Sequence, residues 1–254
     1  MRAIDLNADV GERDDLAAVE EELLEVVTSV NVACGGHAGD AGTMERVVRA
    51  ALARGVAVGA HPSYPDREGF GRRVLPMPPD ALAVSVAEQV AALRGVAERC
   101  GARLAHVKPH GALYNAAAKD PILARAIAVG VARVAPGGVL VGLAGSEMLA
   151  AFAEAGFAVA AEAFADRGYE ADGSLTPRGR PGALKASAGE AAAQALSIAL
   201  RGEVVSAGGS RVPVDAKTIC LHSDTPGAVA FARAIAARLR EAGVVLRPLR
   251  GPGR

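Results

Sequence analysis

The sequence predicts an α/β fold, a TIM-like barrel of about seven parallel βα units. Three observations carry this. Short apolar runs of β type alternate with longer helical runs along the 254 residues. The short runs are nearly continuous in Val, Ala, Leu and Ile, as parallel strands covered on both faces require. All five histidines, all three asparagines and all three tyrosines fall in a few short segments at the C-terminal ends of those runs, where a barrel gathers its active-site loops. A doubly wound open sheet, which uses the same repeat, is the alternative. The chain reads as one domain over residues 1–254, with a flexible tail from about 249.

Taken in order, strands are expected at Ala3–Ala8, Ser29–Ala33, Val56–Ala60, Arg103–Val107, Val139–Leu143, Val159–Ala163 and Thr218–Leu221. Helices are expected at Asp15–Val27, Thr43–Ala53, Pro79–Cys100, Pro121–Val134, Ser146–Ala155, Ala188–Leu200 and Gly227–Ala242. Pro79-Asp80 suits a helix start, Asp120-Pro121 is an N-cap followed by proline at the first helical position, and Gly101 suits a stop. Gly55, Gly156 and Gly243 each end a helical run before a strand. The stretch Gly202–Pro213 reads as a small hairpin.

Composition excludes several classes. The apolar fraction of 51% supports a sizeable core, and 22% charged residues is not a disordered composition. Net charge is zero, with no basic stripe, which argues against nucleic acid as a partner. No apolar run reaches membrane-spanning length. The N-terminus lacks the apolar core of a signal peptide, so a cytoplasmic protein is expected. Cys34, Cys100 and Cys220 form no CxxC pair and no disulfide framework.

In the first strand Asp5, Asn7 and Asp9 alternate with Ile4, Leu6 and Ala8, so the three polar residues share one face. Buried carboxylates need partners or a metal. Asp9, nearest the strand end, is the best candidate for chemistry; a polar core network is the other reading. The second strand end, Asn31 to Asp40, is a glycine-rich turn leading into a helix. It can hold an anion on free backbone N–H groups. His37 and Asp40 are either metal ligands or a hydrogen-bonded pair. The third segment opens a long loop with His61, Tyr64, Arg67, Arg72 and Arg73. A loop of this length is often a lid, and its arginines suit a carboxylate or phosphate, with an exposed surface pair as the alternative for Arg72 and Arg73.

The densest cluster is His106–Asn115. Alternation puts His106, Lys108 and His110 on one side of the strand end, with Tyr114 and Asn115 following. A lysine beside histidines can act as acid, base or electrostatic clamp. Glu162, Asp166 and Arg167 follow the sixth strand, and His222 and Asp224 the last; Asp224 also suits a helix cap. No GxSxG elbow is present, and Cys34 reads more readily as a small buried residue than as a nucleophile.

The stretches DLNADVGE (5–12), NVACGGHAGD (31–40), GAHPSYPDREGFGRR (59–73), HVKPHGALYN (106–115), EAFADRGY (162–169) and LHSD (221–224) resemble the LamB/YcsF family, the A subunit of prokaryotic 5-oxoprolinase. They span nearly the whole chain. The resemblance implies a barrel of the glycoside hydrolase/deacetylase type. It implies ATP-dependent opening of the 5-oxo-L-proline lactam to L-glutamate, in a complex with two further subunits, B and C. ATP is then a cofactor, bound mainly by the partner subunits. Under that reading Asp9, His61 and His110 are candidates for water activation, and Lys108 with Arg67, Arg72 or Arg73 for holding carboxylate or phosphate. Asn7, Asn31, His37, Asp40, Tyr64, Tyr114, Asn115, Glu162, Asp166, Arg167 and His222 are candidate substrate contacts. The alternative is a metal-dependent amidohydrolase or deacetylase acting on a small amide or sugar. In that reading Asp9, His37, Asp40 and His61 are the possible ligands of a divalent ion.

Overall fold

The computed structural model describes residues 2–249, so the expected flexible tail lies almost wholly outside the described residues. The strands are β1 (Ala3–Val10), β2 (Ser29–Ala33), β3 (Ala57–His61), β4 (Leu104–Val107), β5 (Val139–Leu143), β6 (Ala158–Phe164), β7 (Glu203–Val205), β8 (Arg211–Pro213), β9 (Thr218–His222) and β10 (Val245–Leu246). The helices are α1 (Ala17–Leu24), α2 (Ala41–Ala53), α3 (Pro79–Arg99), α4 (Gly111–Ala117), α5 (Pro121–Ala132), α6 (Glu147–Glu154), α7 (Ala188–Arg201) and α8 (Ala228–Glu241). Seven strands, β1 to β6 and β9, pair in parallel in that order, and β9 pairs back onto β1. The sheet is therefore a closed barrel and not a doubly wound open sheet.

Closure is shared at β1. Its upper part pairs with β9, from Asp5 opposite Thr218 to Asp9 opposite His222. Its first residues, Ala3 and Ile4, pair with β10 instead. The β7–β8 hairpin stands outside the barrel as a separate antiparallel pair. Ile4, Leu6, Ala8 and Val10 face outward from β1 into the apolar layer under the helices. In α2, Met44, Val47, Val48 and Ala51 form the matching buried stripe at helical spacing. Asp120 caps α5 by accepting from Ile122 N at 2.8 Å, with Pro121 behind it. No helix among the described residues is long and apolar enough to cross a membrane.

The barrel interior is polar, where layers of Val, Ile and Leu are usual. At the bottom Asp5 accepts from the hydroxyls of Thr28 (2.6 Å), Ser29 (2.8 Å) and Thr218 (2.5 Å). One layer up, Asn7 donates to Glu162 Oε1 at 3.0 Å and accepts from Asn31 at 2.7 Å. His106 Nε2 donates to Asn31 Oδ1 at 2.7 Å. Gly59 makes room for that imidazole, since a Cβ there would collide with the ring. Each of these residues has at least one fixed protein partner in place of water, which is what makes such an interior tolerable, although His106 Nδ1 and Glu162 Oε2 have none.

Candidate active site

The strand ends put the chemistry at the top of the barrel, at the base of a cavity of about 690 Å³. Asp9 lies near the end of β1, His61 ends β3, Lys108 follows β4 directly, His110 caps α4 and His222 ends β9. All five line the cavity, together with Glu12. Leu143, Phe164 and Tyr114 form walls, and Arg72, Arg167, Arg178 and Arg180 reach it from the loops.

Lys108 is 2% exposed and ties the floor together. Its Nζ lies 2.9 Å from Asp9 Oδ1, 3.1 Å from Glu162 Oε1 and 3.1 Å from Cys220 Sγ. Burial favours the neutral amine, but the carboxylates of Asp9 and Glu162 hold the ammonium well above its ordinary range. Burial likewise opposes ionisation of Asp9, and the surrounding His61, Lys108 and His222 reverse that and pull its carboxyl well below the usual range. Asn31 adds a donor to Asp9 Oδ1 at 2.8 Å.

Two histidines meet above this floor. His61 Nδ1 lies 2.8 Å from the Lys108 carbonyl oxygen, and His110 Nε2 lies 3.0 Å from the Phe70 carbonyl oxygen. A carbonyl only accepts, so each of these nitrogens carries its ring's proton. The other two nitrogens, His61 Nε2 and His110 Nδ1, face each other at 3.1 Å. Asp9 Oδ2 is 3.3 Å from the first and Glu12 Oε1 is 3.1 Å from the second. His37 stacks on His110 with ring centroids 3.7 Å apart, and its Nε2 donates to Glu12 Oε1 at 3.0 Å. Burial pushes His37 down to about 4 and His110 below its ordinary range, so burial favours neutral rings.

Across the cavity Asp166 orients His222. The Asp166 carboxylate accepts from His222 Nδ1 at 2.9 Å, from Thr225 Oγ1 at 2.8 Å and from the His222 backbone N–H at 3.1 Å. With Nδ1 donating, Nε2 presents its lone pair toward the cavity, 4.0 Å from Asp9 Oδ2. At the rim Asp224 holds two guanidiniums, Arg72 at 2.7 Å and Arg178 at 3.4 Å. It does not cap α8, whose N-cap is Gly227.

The structure thus brings together Asp9, His61, Lys108, His110, Tyr114, Asn115, Arg72, Arg167 and His222 around one cavity. Asn7, Asn31, Glu162, His37 and Asp166 stand behind them as supports. Four expected contacts go elsewhere. Asp40 caps α2 by accepting from Thr43 N at 2.8 Å, so it neither pairs with His37 nor leaves that helix end free for an anion. Arg67 spends its guanidinium on the carbonyls of Gly35 and Gly39, bracing the glycine turn. Arg73 forks onto Asp66. Tyr64 is packed in the core at 1% exposure. The metal-ligand set expected from sequence changes accordingly: Asp9 and His61 remain, while Glu12 and His110 replace His37 and Asp40. Glu12 carries no sequence signal because it lies past the strand. Gly11, at φ +71°, breaks the alternation and turns it inward. Cys220 offers no local signal either.

The LamB/YcsF family profile matches residues 4–253. A protein from Methylococcus capsulatus, named as the A subunit of 5-oxoprolinase, is 51% identical over 252 residues, covering 98% of this chain and 97% of its own. The crystal structure of a lactam utilization protein from Thermus thermophilus superposes with a TM-score of 0.89 at 42% identity, over 96% of this chain and 99% of that one. The peptidoglycan deacetylase PdaC from Bacillus subtilis matches with a TM-score of 0.50 and 14% identity, over 97% of this chain and 87% of that one, a likeness of fold alone.

Proposed function

We propose, since this chain belongs to the LamB/YcsF family, that it opens the lactam ring of 5-oxo-L-proline to give L-glutamate, as the A subunit of an ATP-dependent enzyme completed by subunits B and C. The observation that carries this is the 51% identity, along nearly the full length of both chains, to a protein named for that subunit. ATP dependence and the two partners are part of the proposal.

The site suits the chemistry. A lactam carbonyl is a poor electrophile. Transfer of the ATP γ-phosphoryl group to the lactam oxygen makes the ring carbon electrophilic. Water then adds to that carbon, the C–N bond breaks as the nitrogen takes a proton, and a second water hydrolyses the resulting γ-glutamyl phosphate to L-glutamate and phosphate. The chain has no GxxxxGK[ST] loop, and we assign the phosphoryl transfer to the partner subunits. The water attack needs a base and a held substrate carboxylate. His222, oriented by Asp166, offers Nε2 as the base that takes the proton from water and returns it to the leaving nitrogen. Arg72 and Arg178 at the rim suit the substrate carboxylate. Lys108 fixes Asp9 and carries positive charge beneath the reacting carbon.

A second reading, a metal-dependent amidohydrolase acting on a small amide or sugar, is favoured by the convergence of Asp9, Glu12, His61 and His110. One experiment separates the two. Glutamate and ADP are measured from 5-oxoproline with this protein alone and with B and C, with and without ATP. Glutamate only in the complete mixture supports the proposal. Glutamate from this chain alone without ATP, or none from folded and associated partners, points to the second reading.

A further inference from the structure

Asp9, Glu12, His61 and His110 offer four donor atoms that all lie within 4.8 Å of one another. Two independent features say that a cation belongs among them. The first is the direction of the protons. His61 Nδ1 and His110 Nε2 are both committed as donors to backbone carbonyls. The other two nitrogens, His61 Nε2 and His110 Nδ1, lie 3.1 Å apart and have no backbone partner. The same nitrogens face carboxylate oxygens at 3.3 and 3.1 Å. Two imidazole nitrogens and two carboxylate oxygens thus converge on one point, a donor set that suits a cation.

The second feature is size. Ligands about 2.0–2.1 Å from a tetrahedral zinc lie about 3.3 Å from each other. Of the five separations between nitrogen and nitrogen or nitrogen and carboxylate oxygen, four are 3.1, 3.1, 3.3 and 3.8 Å, and the fifth, His110 to Asp9, is longer but within 4.8 Å. The outer contacts also match those of a metal centre. Each histidine donates its far N–H to a backbone carbonyl, Asp9 is held from behind by Lys108 and Asn31, and Glu12 by His37. At formal charge, the three carboxylates Asp9, Glu12 and Glu162 against the one ammonium of Lys108 leave two negative charges.

We propose that Asp9 Oδ2, Glu12 Oε1, His61 Nε2 and His110 Nδ1 bind one divalent transition-metal ion, with zinc the best match to the donor set and spacing. The ligands line the cavity, so an ion there could be reached from it, and a water or the substrate carbonyl would bind by raising its coordination to five. It would supply Lewis acidity at that point. The inference does not depend on the ring-opening reading, and its test reads binding and not turnover.

Untagged protein is purified, stripped with a chelator and reconstituted with zinc or cobalt(II), and bound metal is measured by elemental analysis and by the cobalt d–d spectrum. One equivalent is expected, with a thermal midpoint that rises with free metal. Glu12→Gln and His110→Asn are each expected to weaken affinity beyond the ~10–100-fold typical of outer-contact changes. Asp40→Asn, at a helix cap outside the cavity, should leave it unchanged. If the folded parent takes up no zinc or cobalt, or if Glu12→Gln and His110→Asn, folded by circular dichroism, bind as tightly as the parent, the proposal is overturned. Failure here leaves 5-oxoproline turnover to be decided by the separate glutamate assay.

Discussion

Lys108→Met tests whether the barrel floor is an electrostatic unit. Met preserves most of the length and volume of the lysine stem, so the change removes a charge without opening a large hole. In the parent the ammonium sits 2.9 Å from Asp9 Oδ1 and 3.1 Å from Glu162 Oε1, and all three groups are buried. Removing one partner of a buried ion pair costs about 3–5 kcal/mol, because the other charge stays buried without compensation. Each carboxylate here keeps one amide donor, Asn31 on Asp9 at 2.8 Å and Asn7 on Glu162 at 3.0 Å. That places the expected loss at the lower end, about 3 kcal/mol. For a chain of this size it corresponds to a fall in Tm of roughly 6–12 °C. The assay is urea and thermal unfolding followed by circular dichroism, on the parent, Lys108→Met and the double variant Lys108→Met/Glu162→Gln. The double variant should recover part of the loss, since it removes one of the stranded carboxylates. A loss below about 1 kcal/mol, or a double variant less stable than the single one, would refute the assignment of Lys108 as the compensating charge.

Asp166→Asn should lower kcat of the assembled enzyme by about 100-fold or more, with KM little changed, since His222 loses the acceptor that fixes its tautomer. An unaltered pH–rate profile together with parental kcat would exclude His222 as the base. Arg178→Gln should raise KM for 5-oxoproline by about 10–100-fold while kcat is retained, the reverse signature. Asp5 gives a stability prediction. Burial pushes its carboxyl up to about 6 from 3.8, against three hydroxyl donors that pull it down. The folded chain therefore holds this proton more tightly than the unfolded chain. That contribution, at most about 3 kcal/mol, is present below pH 3.8 and is lost as pH rises through 6. Asp5→Asn removes the titration, so its stability relative to the parent should improve between about pH 5 and 7.5. Parallel pH dependences in the two proteins would show that Asp5 does not titrate in this range.

The barrel was readable because its signals are local and repeated. Each strand is a short apolar run closed by a glycine or a polar cluster, and β2 and β5 fall on the residues expected. The strand period of two also placed Asp5, Asn7 and Asp9 on the inner face. Elements without such a signal were not legible. Helix α4 begins at Gly111 with φ +57°, directly behind Pro109 and His110, which read as the tail of a strand. Strand β10 is two residues long and exists because β1 has a free edge below its pairing with β9. In the site, nearness in sequence misled for Asp40, Arg67 and Arg73. They share segments with cavity residues, yet their side chains turn to a helix end, a glycine turn and Asp66. Glu12 shows the opposite error. The cavity gathers it from beyond the strand end, through a turn whose direction no periodicity specifies.

The polar interior explains why so many of the rare side chains are spent below the cavity and not in it. Asp9 must present one oxygen to His61 at a fixed distance, and a carboxylate on a strand end has two rotatable bonds with which to miss. Its other oxygen is clamped by Lys108 and Asn31, Asn31 is fixed by Asn7 and His106, and Asn7 by Glu162 and Thr218. Thr218 in turn is held by Asp5. The chain of hydrogen bonds runs from the barrel bottom to the groups that line the cavity, and each member fixes the rotamer of the next. Apolar layers would fill the same volume at lower desolvation cost, but a methyl group exerts no directional hold on a carboxylate. The stability forgone in burying these groups is thus the condition for a site whose donors and acceptors are oriented before any substrate arrives.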